Sequence, residues 1–557
     1  MIDAPAEAPA PVGRRRPSVT IIAFFVVMAL VVAGLVVWRS LGSTQASAGA
    51  APHYVDESAT SGINHAYTGQ FEFFVGGGVA TFDCNGDGRD ELYVAGGTTP
   101  AALYINQSPV GGALTFTPKA SPVTDLTDVT GAYPIDIDSD GITYLVVLRR
   151  NGNHLLRGLG NCVFEDATAA LGVEPGTDWT VGFSAIWEGK NRLPTLAFGN
   201  YLVPGGDTCG DSRLVRPSTD GATYAPAIAL SPGYCTLSIL FSDWNHTGHH
   251  DLRMANDRHY YATGEEQLWK VTPGEAPRQY TEADGWHALT IWGMGIASRD
   301  LDGDGKPEVF ITSQGDNKLQ ALEGDATTPS YHDIALAKGV TTQRPYTGGD
   351  VLPSTAWHPQ FEDVNNDGRP DLLVTKGNVS IQVDNAQRDP SDLMIGTADG
   401  TFTEGAVAAG IVNYDKARGA ALVDLNLDGL LDLVIVNREV NVRVYRNVGS
   451  GTAAKPAAMG NWLAVRLHQP TPNVDAIGAW LDVRVAGKVS TREITIGGGH
   501  ASGSLDWIHT GLGSAKNAEV RVEWPDGSAG PWMPVTANQF VTIDKGAAAP
   551  TVWTPPA

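Results

Sequence analysis

The chain has 557 residues, which is more than one hydrophobic core normally organises, so we expect at least two domains. Its formal net charge of -23 argues against nucleic-acid binding, because neutralising phosphate groups requires clustered basic residues. Charged residues make up only 18% of the chain, whereas 65 residues are glycine and 34 are proline, a composition typical of short strands joined by turns.

The N-terminal segment has the features of a membrane anchor. Three consecutive arginines at 14–16 precede an apolar, uncharged run from Ile21 to Trp38. A helix over that run would span about 27 Å, close to the thickness of a bilayer core, and the arginines favour the cytoplasmic side. A cleavable signal peptide is the alternative, since Ala46-Ser47-Ala48 resembles a peptidase site.

These features predict a cytoplasmic tail over residues 1–18, a transmembrane signal-anchor over 19–38 and a flexible stalk over 39–52. Under both alternatives the remainder of the chain lies outside the cytoplasm. The protein is then a single-pass cell-membrane protein, or a secreted protein if the N-terminal segment is cleaved.

Four cysteines follow the predicted anchor, and an oxidising compartment would let them form two disulfide bonds. They are Cys84, Cys162, Cys209 and Cys235. The sequence allows three pairings, of which Cys209 with Cys235 is the most local. None of the four stands in a Cys-x-x-Cys or metal-finger spacing.

A ten-residue acidic pattern recurs along the chain and begins at residues 83, 300, 363 and 424. In each of these four copies, Asp, Asn or Glu stands at positions 1, 3, 5 and 9, and glycine stands at position 6. Two further copies are incomplete: the copy that begins at Asp136 has Tyr144 at position 9, and the copy that begins at Asp243 has Thr247 at position 5. One more unit, near residue 187, is recognisable by its spacing alone.

The seven units begin at residues 83, 136, 187, 243, 300, 363 and 424, so neighbouring starts differ by 51 to 63 residues, a period that suits four-stranded propeller blades. An aromatic-centred strand stands between successive units, but none follows the seventh. The missing strand occurs at His53–Glu57, and we infer that it completes the last blade and closes the ring. The sequence therefore predicts an all-β fold with a seven-bladed β-propeller over residues 53–448.

Oxygen-bearing side chains at these spacings in a tight loop point toward one centre. Calcium prefers six to eight oxygen ligands, whereas magnesium keeps its waters and requires strict octahedral geometry. Without a cation, three or four carboxylates this close would repel one another. A set of Asp-Gly hairpin turns would explain one copy but not four matching copies.

We therefore predict four calcium sites and leave a fifth open in the incomplete copy at Asp136. The predicted metal ligands are Asp83, Asn85, Asp87, Glu91, Asp300, Asp302, Asp304, Glu308, Asp363, Asn365, Asp367, Asp371, Asp424, Asn426, Asp428 and Asp432, with Asp136, Asp138 and Asp140 for the fifth site.

The pattern resembles the FG-GAP or VCBS repeat, which is found in integrin α-subunit propellers and in many bacterial exported proteins. The resemblance covers about residues 53–448. It implies that each loop joins two strands of a blade and that calcium stiffens the loop. The ligand positions of that family match the four complete copies and fail at Tyr144 and Thr247.

The C-terminal part predicts a second domain. Residues 449–460 are rich in Gly and Ala and predict a linker, and alternating strands predict a small β-sandwich-like domain over 461–545, followed by a tail over 546–557. Three short sequences resemble the ASPIC/UnbV domain: Ala476-Ile477-Gly478-Ala479, Gly511-Leu512-Gly513 and Trp524-Pro525-Asp526-Gly527. Together with the repeats, they make the exported part similar to the cartilage acidic protein family and its bacterial relatives.

No nucleophile elbow, zincin helix or phosphate loop stands in the sequence, and it assigns no catalytic residue. We therefore expect an adhesion or interaction module that binds an unknown protein or glycan at the cell surface. The alternative is a carbohydrate-active or other hydrolytic enzyme that uses the central cavity of the propeller. An enzyme should show acids or histidines converging on the channel mouth, whereas a binding module should show an exposed aromatic or apolar patch on its loops.

Overall fold

The computed structural model describes residues 49–257, 263–324 and 327–556. The predicted cytoplasmic tail, the predicted transmembrane anchor and the stalk up to residue 48 lie outside the described residues. Within the described ranges, no helix is long and apolar enough to cross a membrane.

Between residues 54 and 447, the described chain forms seven antiparallel sheets that follow one another in sequence. The first strand, β1 (Tyr54–Asp56), belongs to the last of these sheets. Sheet 1 contains β2 (Val79–Phe82), β3 (Glu91–Val94), β4 (Ala102–Asn106) and β5 (Phe116–Pro118). Sheet 2 contains β6 (Val129–Ile135), β7 (Tyr144–Arg149), β8 (His154–Gly158) and β9 (Phe164–Asp166). Sheet 3 contains β10 (Thr180–Ile186), β11 (Thr195–Asn200), β12 (Ser212–Val215) and β13 (Ile228–Leu230).

Sheet 4 contains β14 (Thr236–Ser242), β15 (Asp251–Asn256), β16 (Gln267–Lys270) and β17 (Arg278–Gln279). Sheet 5 contains β18 (Gly293–Arg299), β19 (Glu308–Ser313), β20 (Lys318–Leu322) and β21 (Tyr331–Asp333). Sheet 6 contains β22 (Ala356–Glu362), β23 (Asp371–Lys376), β24 (Asp392–Gly396) and β25 (Phe402–Glu404). Sheet 7 contains β26 (Lys416–Val423), β27 (Asp432–Arg438), β28 (Arg443–Asn447) and β1. The described helical segments are short: α1 (Ala335–Lys338), α2 (Ala406–Ala409) and the 3-10 turns Phe71–Phe73 and Glu282–Asp284.

The first strand that each unit contributes lies at the centre of the ring. These inner strands are β2, β6, β10, β14, β18, β22 and β26, and each contacts the inner strand of the next sheet. Since β26 also contacts β2, the sheets close on themselves in the arrangement of a β-propeller. Four of the inner strands, β2, β6, β10 and β14, are buried along their whole length, because neighbouring sheets cover them on both faces. The prediction of an all-β fold is confirmed.

The N-terminal strand completes the last sheet, as the sequence predicts. β1 pairs with β28 in antiparallel register, with Tyr54 opposite Asn447. The Tyr54 side chain is buried, and its hydroxyl donates a hydrogen bond of 3.0 Å to the carbonyl of Leu431. Glu57, the residue after β1, forms a buried ion pair with Arg446 of β28 at 2.9 Å, and this pair holds the end of β1 against the same sheet.

The four cysteines form two disulfide bonds. Cys209 pairs with Cys235, which confirms the local pairing that the sequence favours. The other bond joins Cys84, at position 2 of the first acidic loop, to Cys162, in the turn between β8 and β9. This second bond therefore ties sheet 1 to sheet 2.

The C-terminal residues form two further four-stranded sheets. One contains β29 (Asn461–His468), β33 (Ile508–Gly513), β36 (Gln539–Asp544) and β37 (Thr551–Trp553), and the other contains β30 (Trp480–Val485), β31 (Lys488–Glu493), β34 (Asn517–Glu523) and β35 (Met533–Thr536). Side chains of both sheets, such as Leu463 and Leu481, share one hydrophobic core. The strand β37 lies within the residues that the sequence assigns to a tail, and it pairs with β36.

One stretch of the C-terminal part leaves these two sheets and enters the ring; we call residues 494–505 the central segment. Its strand β32 (Gly503–Leu505) pairs in parallel with β2, which makes sheet 1 five-stranded. Single bridges join the central segment to four other inner strands: Ser502 to Ala132, Ile496 to Ala185, Gly497 to Leu240 and Gly499 to Ile296. The sequence predicts a domain that merely follows the propeller, but the central segment makes the two parts one packed unit.

Candidate metal sites in the acidic loops

Each acidic loop joins an inner strand to the second strand of its sheet, and we name the loops by their first residue. In all six loops a carboxylate oxygen of the first Asp accepts a hydrogen bond from the backbone N–H of the glycine at position 6, at 2.7 to 3.0 Å. These pairs are Asp83–Gly88, Asp136–Gly141, Asp243–Gly248, Asp300–Gly305, Asp363–Gly368 and Asp424–Gly429. The glycines have φ between 80° and 87°, a left-handed conformation that other residues adopt only with strain, which explains the glycine at this position.

The acid at position 9 closes each complete loop. Its carboxylate accepts the backbone N–H of position 2 at 2.8 to 3.1 Å. The pairs are Glu91–Cys84, Glu308–Leu301, Asp371–Val364 and Asp432–Leu425. These hydrogen bonds fix the acids at positions 1 and 9 at the two ends of one turn. The side chains at positions 3 and 5 lie between them in the same loop.

The 300 loop and the 136 loop bring three carboxylates together. One oxygen from each of Asp300, Asp302 and Asp304 lies within 4.8 Å of the other two, and the same holds for Asp136, Asp138 and Asp140. Oxygens at this separation can share a single cation of the size of calcium.

The incomplete 136 loop differs from the complete loops at position 9. It also places one arginine against two of its carboxylates, whereas the complete 83, 300 and 363 loops each place one Arg or Lys against the carboxylate at position 5 alone. Tyr144, at the place of the missing acid, donates its hydroxyl to Asp138 at 2.9 Å. The Arg157 guanidinium lies 3.2 Å from Asp138 and 2.8 Å from Asp140, so a positive charge from the protein already stands beside these carboxylates. A metal ion there would have to compete with this arginine.

The unit near residue 187 has an ion pair where the other units have acidic loops. Glu188 lies 2.7 Å from Arg216, and both side chains are largely buried. The charge of the Glu188 carboxylate is therefore balanced by an arginine that directly follows β12 of the same sheet.

Some oxygens in the loops are buried and have no hydrogen-bond donor among the described residues. They include Oδ1 of Asp138 and Oδ1 of Asn426. A buried oxygen without a donor is unfavourable, and a coordinated cation satisfies it. The donor set of the loops therefore fits a hard divalent cation.

The electrostatics of the loops point the same way. Burial raises the pKa of Glu91 to about 8, and repulsion from Asp83 and Asp87 adds to this shift. Burial likewise raises the pKa of Asp363 to about 7, with a further contribution from Asp367. Carboxylates with such raised pKa values are poorly stabilised as anions, and a bound cation would stabilise them.

The sequence did not predict the conformation at position 4. All six loops have a left-handed residue there, with φ between 53° and 82°. These residues are Gly86, Ser139, His246, Gly303, Asn366 and Leu427. Glycine at this position in two of the four complete copies was the available signal, but Asn and Leu in the other two concealed it.

Comparison with known families places the repeats and the C-terminal domain. Family models match residues 83–147, 300–374 and 363–435 as FG-GAP-like repeats, and residues 469–550 as an ASPIC and UnbV domain. Both assignments made from the sequence are thereby confirmed, whereas membership of the cartilage acidic protein family stays a prediction. None of the curated proteins matches the chain.

Several solved structures are similar at low sequence identity. The BBS1N structure in complex with ARL6DN is 12% identical, with a TM-score of 0.40, covering 71% of this chain and 97% of that chain. A lectin from Agrocybe aegerita, whose title describes recognition of non-reducing terminal N-acetylglucosamine, is 16% identical with a TM-score of 0.31, covering 70% and 85%. The Dos1 propeller is 12% identical with a TM-score of 0.33, covering 68% and 96%.

Proposed function

Since the chain contains FG-GAP-like repeats and an ASPIC and UnbV domain, we propose that it is a seven-bladed, calcium-binding propeller that binds a protein or glycan at the outer face of the cell membrane. The observation that carries this proposal is the repeated loop geometry, in which the first and ninth acids of four loops are held by backbone N–H groups at equivalent positions. Seven consecutive sheets with contacting inner strands support the count of blades.

Calcium fits the loops better than other ions. The side chains at positions 1, 3, 5 and 9 offer only oxygen ligands, which suit calcium or magnesium and not softer metals. Calcium tolerates irregular coordination by several carboxylates, whereas magnesium retains water. When bound, the ion would neutralise the crowded carboxylates and stiffen each turn, with four such sites in the complete loops and a weaker fifth in the 136 loop, where Arg157 competes.

The alternative function, an enzyme that uses the central cavity, requires open space at the centre of the ring. The central segment passes through that space, and it pairs with β2 and bridges to four more inner strands. Its His500 is fully buried, and its backbone N–H donates to Nδ1 of His358 at 3.0 Å. The central segment reduces the open centre of the ring to a cavity of about 180 Å³ beside β18 and β22, and this narrowing favours binding at the surface over catalysis inside the channel.

Exposed apolar side chains also favour a binding role. Phe71 is 47% exposed, Ile381 is 78% exposed and Val383 is 80% exposed. Phe71 and Gln382, which lies between the latter two residues, line one cavity at the end of the channel away from the acidic loops. An exposed aromatic residue at such a cavity, with further exposed apolar residues on a loop that borders it, is typical of interaction surfaces.

Metal analysis of the purified protein tests the calcium proposal. After dialysis against calcium and removal of free ion, elemental analysis of the full chain should find about four calcium ions per molecule. Asp302→Ala should remove about one of these ions, because it deletes one of the three clustered carboxylates of the 300 loop. Asp302 is exposed, so the substitution leaves the hydrophobic core unchanged. Asp316→Ala, in the exposed turn of the same sheet between β19 and β20, is the matched control and should change nothing. Absence of bound calcium, or equal content in both variants and the parent, contradicts the proposal.

The proposed location has its own test. In intact cells, a protease added outside should degrade the propeller, and the protein should stay with the membrane after a carbonate wash if the anchor is uncleaved. Recovery of the protein in the soluble cytoplasmic fraction, protected from protease, contradicts export.

A further inference from the structure

A small polar cavity remains at the centre of the ring, between the propeller and the C-terminal part. It has a volume of about 180 Å³ and is lined by residues of β18, β22, β31 and the central segment. A cavity of about 150 Å³ holds a benzene molecule, so this space has room for a ligand of about six or seven non-hydrogen atoms. Its walls carry charged side chains from both parts of the molecule, unlike a packing defect within a hydrophobic core.

Arg299, the last residue of β18, brings a buried positive charge to this cavity. It is 9% exposed, and Nε and Nη1 of its guanidinium are buried with no hydrogen-bond acceptor among the described residues. Burial is the main cause that lowers the pKa of Arg299 to about 10, so the group stays charged at neutral pH. A buried charge without a partner is unfavourable, and a negatively charged ligand group would compensate it.

The acids around this guanidinium have other partners. Glu362 is bound by both terminal nitrogens of Arg492, at 2.6 and 3.0 Å. Glu493 accepts the backbone N–H of Asp243 at 2.8 Å and lies 3.2 Å from His250. The first acids of the 300 and 363 loops accept backbone N–H groups of their own loops. Among the residues that the structure describes, none of these acids forms an ion pair with the guanidinium, so its partner has to come from a ligand.

His358 of β22 offers a second donor to the same cavity. Burial lowers the pKa of His358 to about 4, so its ring is neutral, and its Nδ1 accepts the backbone N–H of His500 at 3.0 Å. The proton therefore stands on Nε2, which is buried and has no hydrogen-bond partner within the described ranges. The side-chain amide of Gln360 is engaged by the backbone of Leu422, at 2.9 and 3.1 Å. Two buried donors without acceptors, on neighbouring inner strands, indicate a ligand that supplies oxygen atoms.

The wall formed by the C-terminal part carries a negative charge. Asp506, directly after the central segment, lines the cavity and is partly exposed. Two arginines act on its charge, but Arg492 binds Glu362 and Arg466 lies 3.8 Å from Asp83. In the described part of the chain, Asp506 forms no ion pair. The cavity thus presents two separate charges of opposite sign, a cation from the propeller and an anion from the C-terminal part.

We propose that this cavity binds a small α-amino acid. The carboxylate of such a ligand can accept from Arg299 and His358, and its ammonium group can donate to Asp506. A simple carboxylate or phosphate would leave Asp506 without a partner and be repelled by it, and a simple amine would leave the charge of Arg299 uncompensated. Glycine, alanine and serine have about five to seven non-hydrogen atoms and therefore match the volume of the cavity. None of the three binding residues is a predicted calcium ligand, so this site is separate from the proposed metal sites.

Ligand-observed NMR on the full chain in calcium buffer tests this proposal. The probes are glycine, L-alanine and L-serine, and the control ligands are acetate, methylammonium, phosphate and L-tryptophan. At least one small amino acid should bind, and each control ligand should bind at least about tenfold more weakly, because it lacks a charged group or exceeds the volume. Arg299→Gln and Asp506→Asn should each weaken binding about tenfold. Arg484→Gln and Asp526→Asn are the matched controls, since both residues lie in the C-terminal domain outside the cavity, and they should bind normally.

A cooperative thermal transition shows whether each variant is folded. Asp506 is partly exposed, so Asp506→Asn should keep the fold even if Arg299→Gln does not. Three results would overturn the proposal: none of the three amino acids binds, a control ligand binds as tightly as they do, or binding is unchanged in a folded Arg299→Gln or Asp506→Asn variant. If calcium binds as proposed and the amino acids do not, the amino-acid site is wrong while the calcium-binding propeller stands.

Discussion

Leu427 shows how single residues depart from the loop pattern. It stands at position 4 of the 424 loop with φ of 57°, a conformation that is strained for a branched side chain. The residue is only 3% exposed and belongs to a cluster with Trp462 and Trp507 of the C-terminal domain. Burial against that domain compensates for the strain, so this loop doubles as a contact between the two parts of the molecule.

Two histidines of the 243 loop, like Leu427, contact the C-terminal domain. His246 stacks on Trp480 with ring centroids 4.0 Å apart, and its Nδ1–H donates to the carbonyl of Gly305 at 2.7 Å. His250 lies 3.2 Å from Glu493. Both histidines therefore serve to pack the 243 loop against the C-terminal domain.

The protonation of His500 predicts a pH effect on stability. Its Nε2 accepts the backbone N–H of Gly76 at 3.1 Å, so its Nδ1 carries the proton and donates to the carbonyl of Met294 at 2.9 Å. Burial is the main cause that lowers the pKa of His500 to about 3, and the positive charge of Arg418 adds to it. The unfolded chain, with a histidine pKa of about 6.5, therefore binds the proton first as the pH falls, and this group costs stability between pH 6.5 and 3, by about 1.4 kcal/mol per pH unit.

Urea unfolding at a series of pH values checks this effect through the difference between two variants. His500→Gln cannot titrate, so its free energy of unfolding should fall less steeply than that of the parent below pH 6.5. His332→Gln, at an exposed histidine, should follow the parent. Equal slopes for the parent and His500→Gln would show that the buried histidine does not control the acid sensitivity.

At the scale of elements, the central segment depends on its three glycines. Gly497, Gly498 and Gly499 all have positive φ, and they pass close to the inner strands. A Cβ atom on Gly499 would lie 2.5 Å from the ring of His358, closer than any contact that real side chains make. Interpreted locally, this run is a bulge between strands, because nothing in its pattern reveals that it will meet strands more than a hundred residues away.

A pair of glycine variants separates packing from backbone strain. Gly499→Ala should lower the free energy of unfolding by about 3 kcal/mol, since left-handed strain and overpacking add. Gly487→Ala has the same sign of φ, 86°, but open space around its Cβ, and should cost only about 1 kcal/mol. Urea unfolding in calcium measures both. Equal losses would mean that the central segment is not packed against β22.

At the scale of the whole molecule, closure of the ring depends on β1. A chain of residues 49–557 should remain monomeric, whereas a chain of residues 59–557 lacks β1 and exposes the edge of β28. An exposed edge pairs readily with other chains, so the shorter form should self-associate. Size-exclusion chromatography with light scattering distinguishes the two. A monomeric 59–557 chain with unchanged thermal stability would show that β1 is dispensable.

Much of this architecture could be predicted because it repeats. The repeated units, six of them acidic and one recognisable by spacing alone, mark where each sheet begins. The one aromatic-centred strand without a preceding unit identifies β1 as the partner of β28. The bond from Cys84 to Cys162 could not be predicted, since it depends on which turns of neighbouring sheets approach each other. The entry of residues 494–505 into the ring escaped prediction for the same reason, because packing between distant segments leaves no period in the sequence.

Thermal unfolding of the full chain with calcium, with a chelator and with magnesium tests the central claim most directly. A ligand that binds only the folded protein adds about 2.7 kcal/mol per site at a hundredfold excess over its dissociation constant. Four loops of the observed geometry should therefore give a large rise in melting temperature with calcium and little with magnesium. Identical melting in all three conditions would mean that the acidic loops are empty turns, and the calcium-binding function would be wrong.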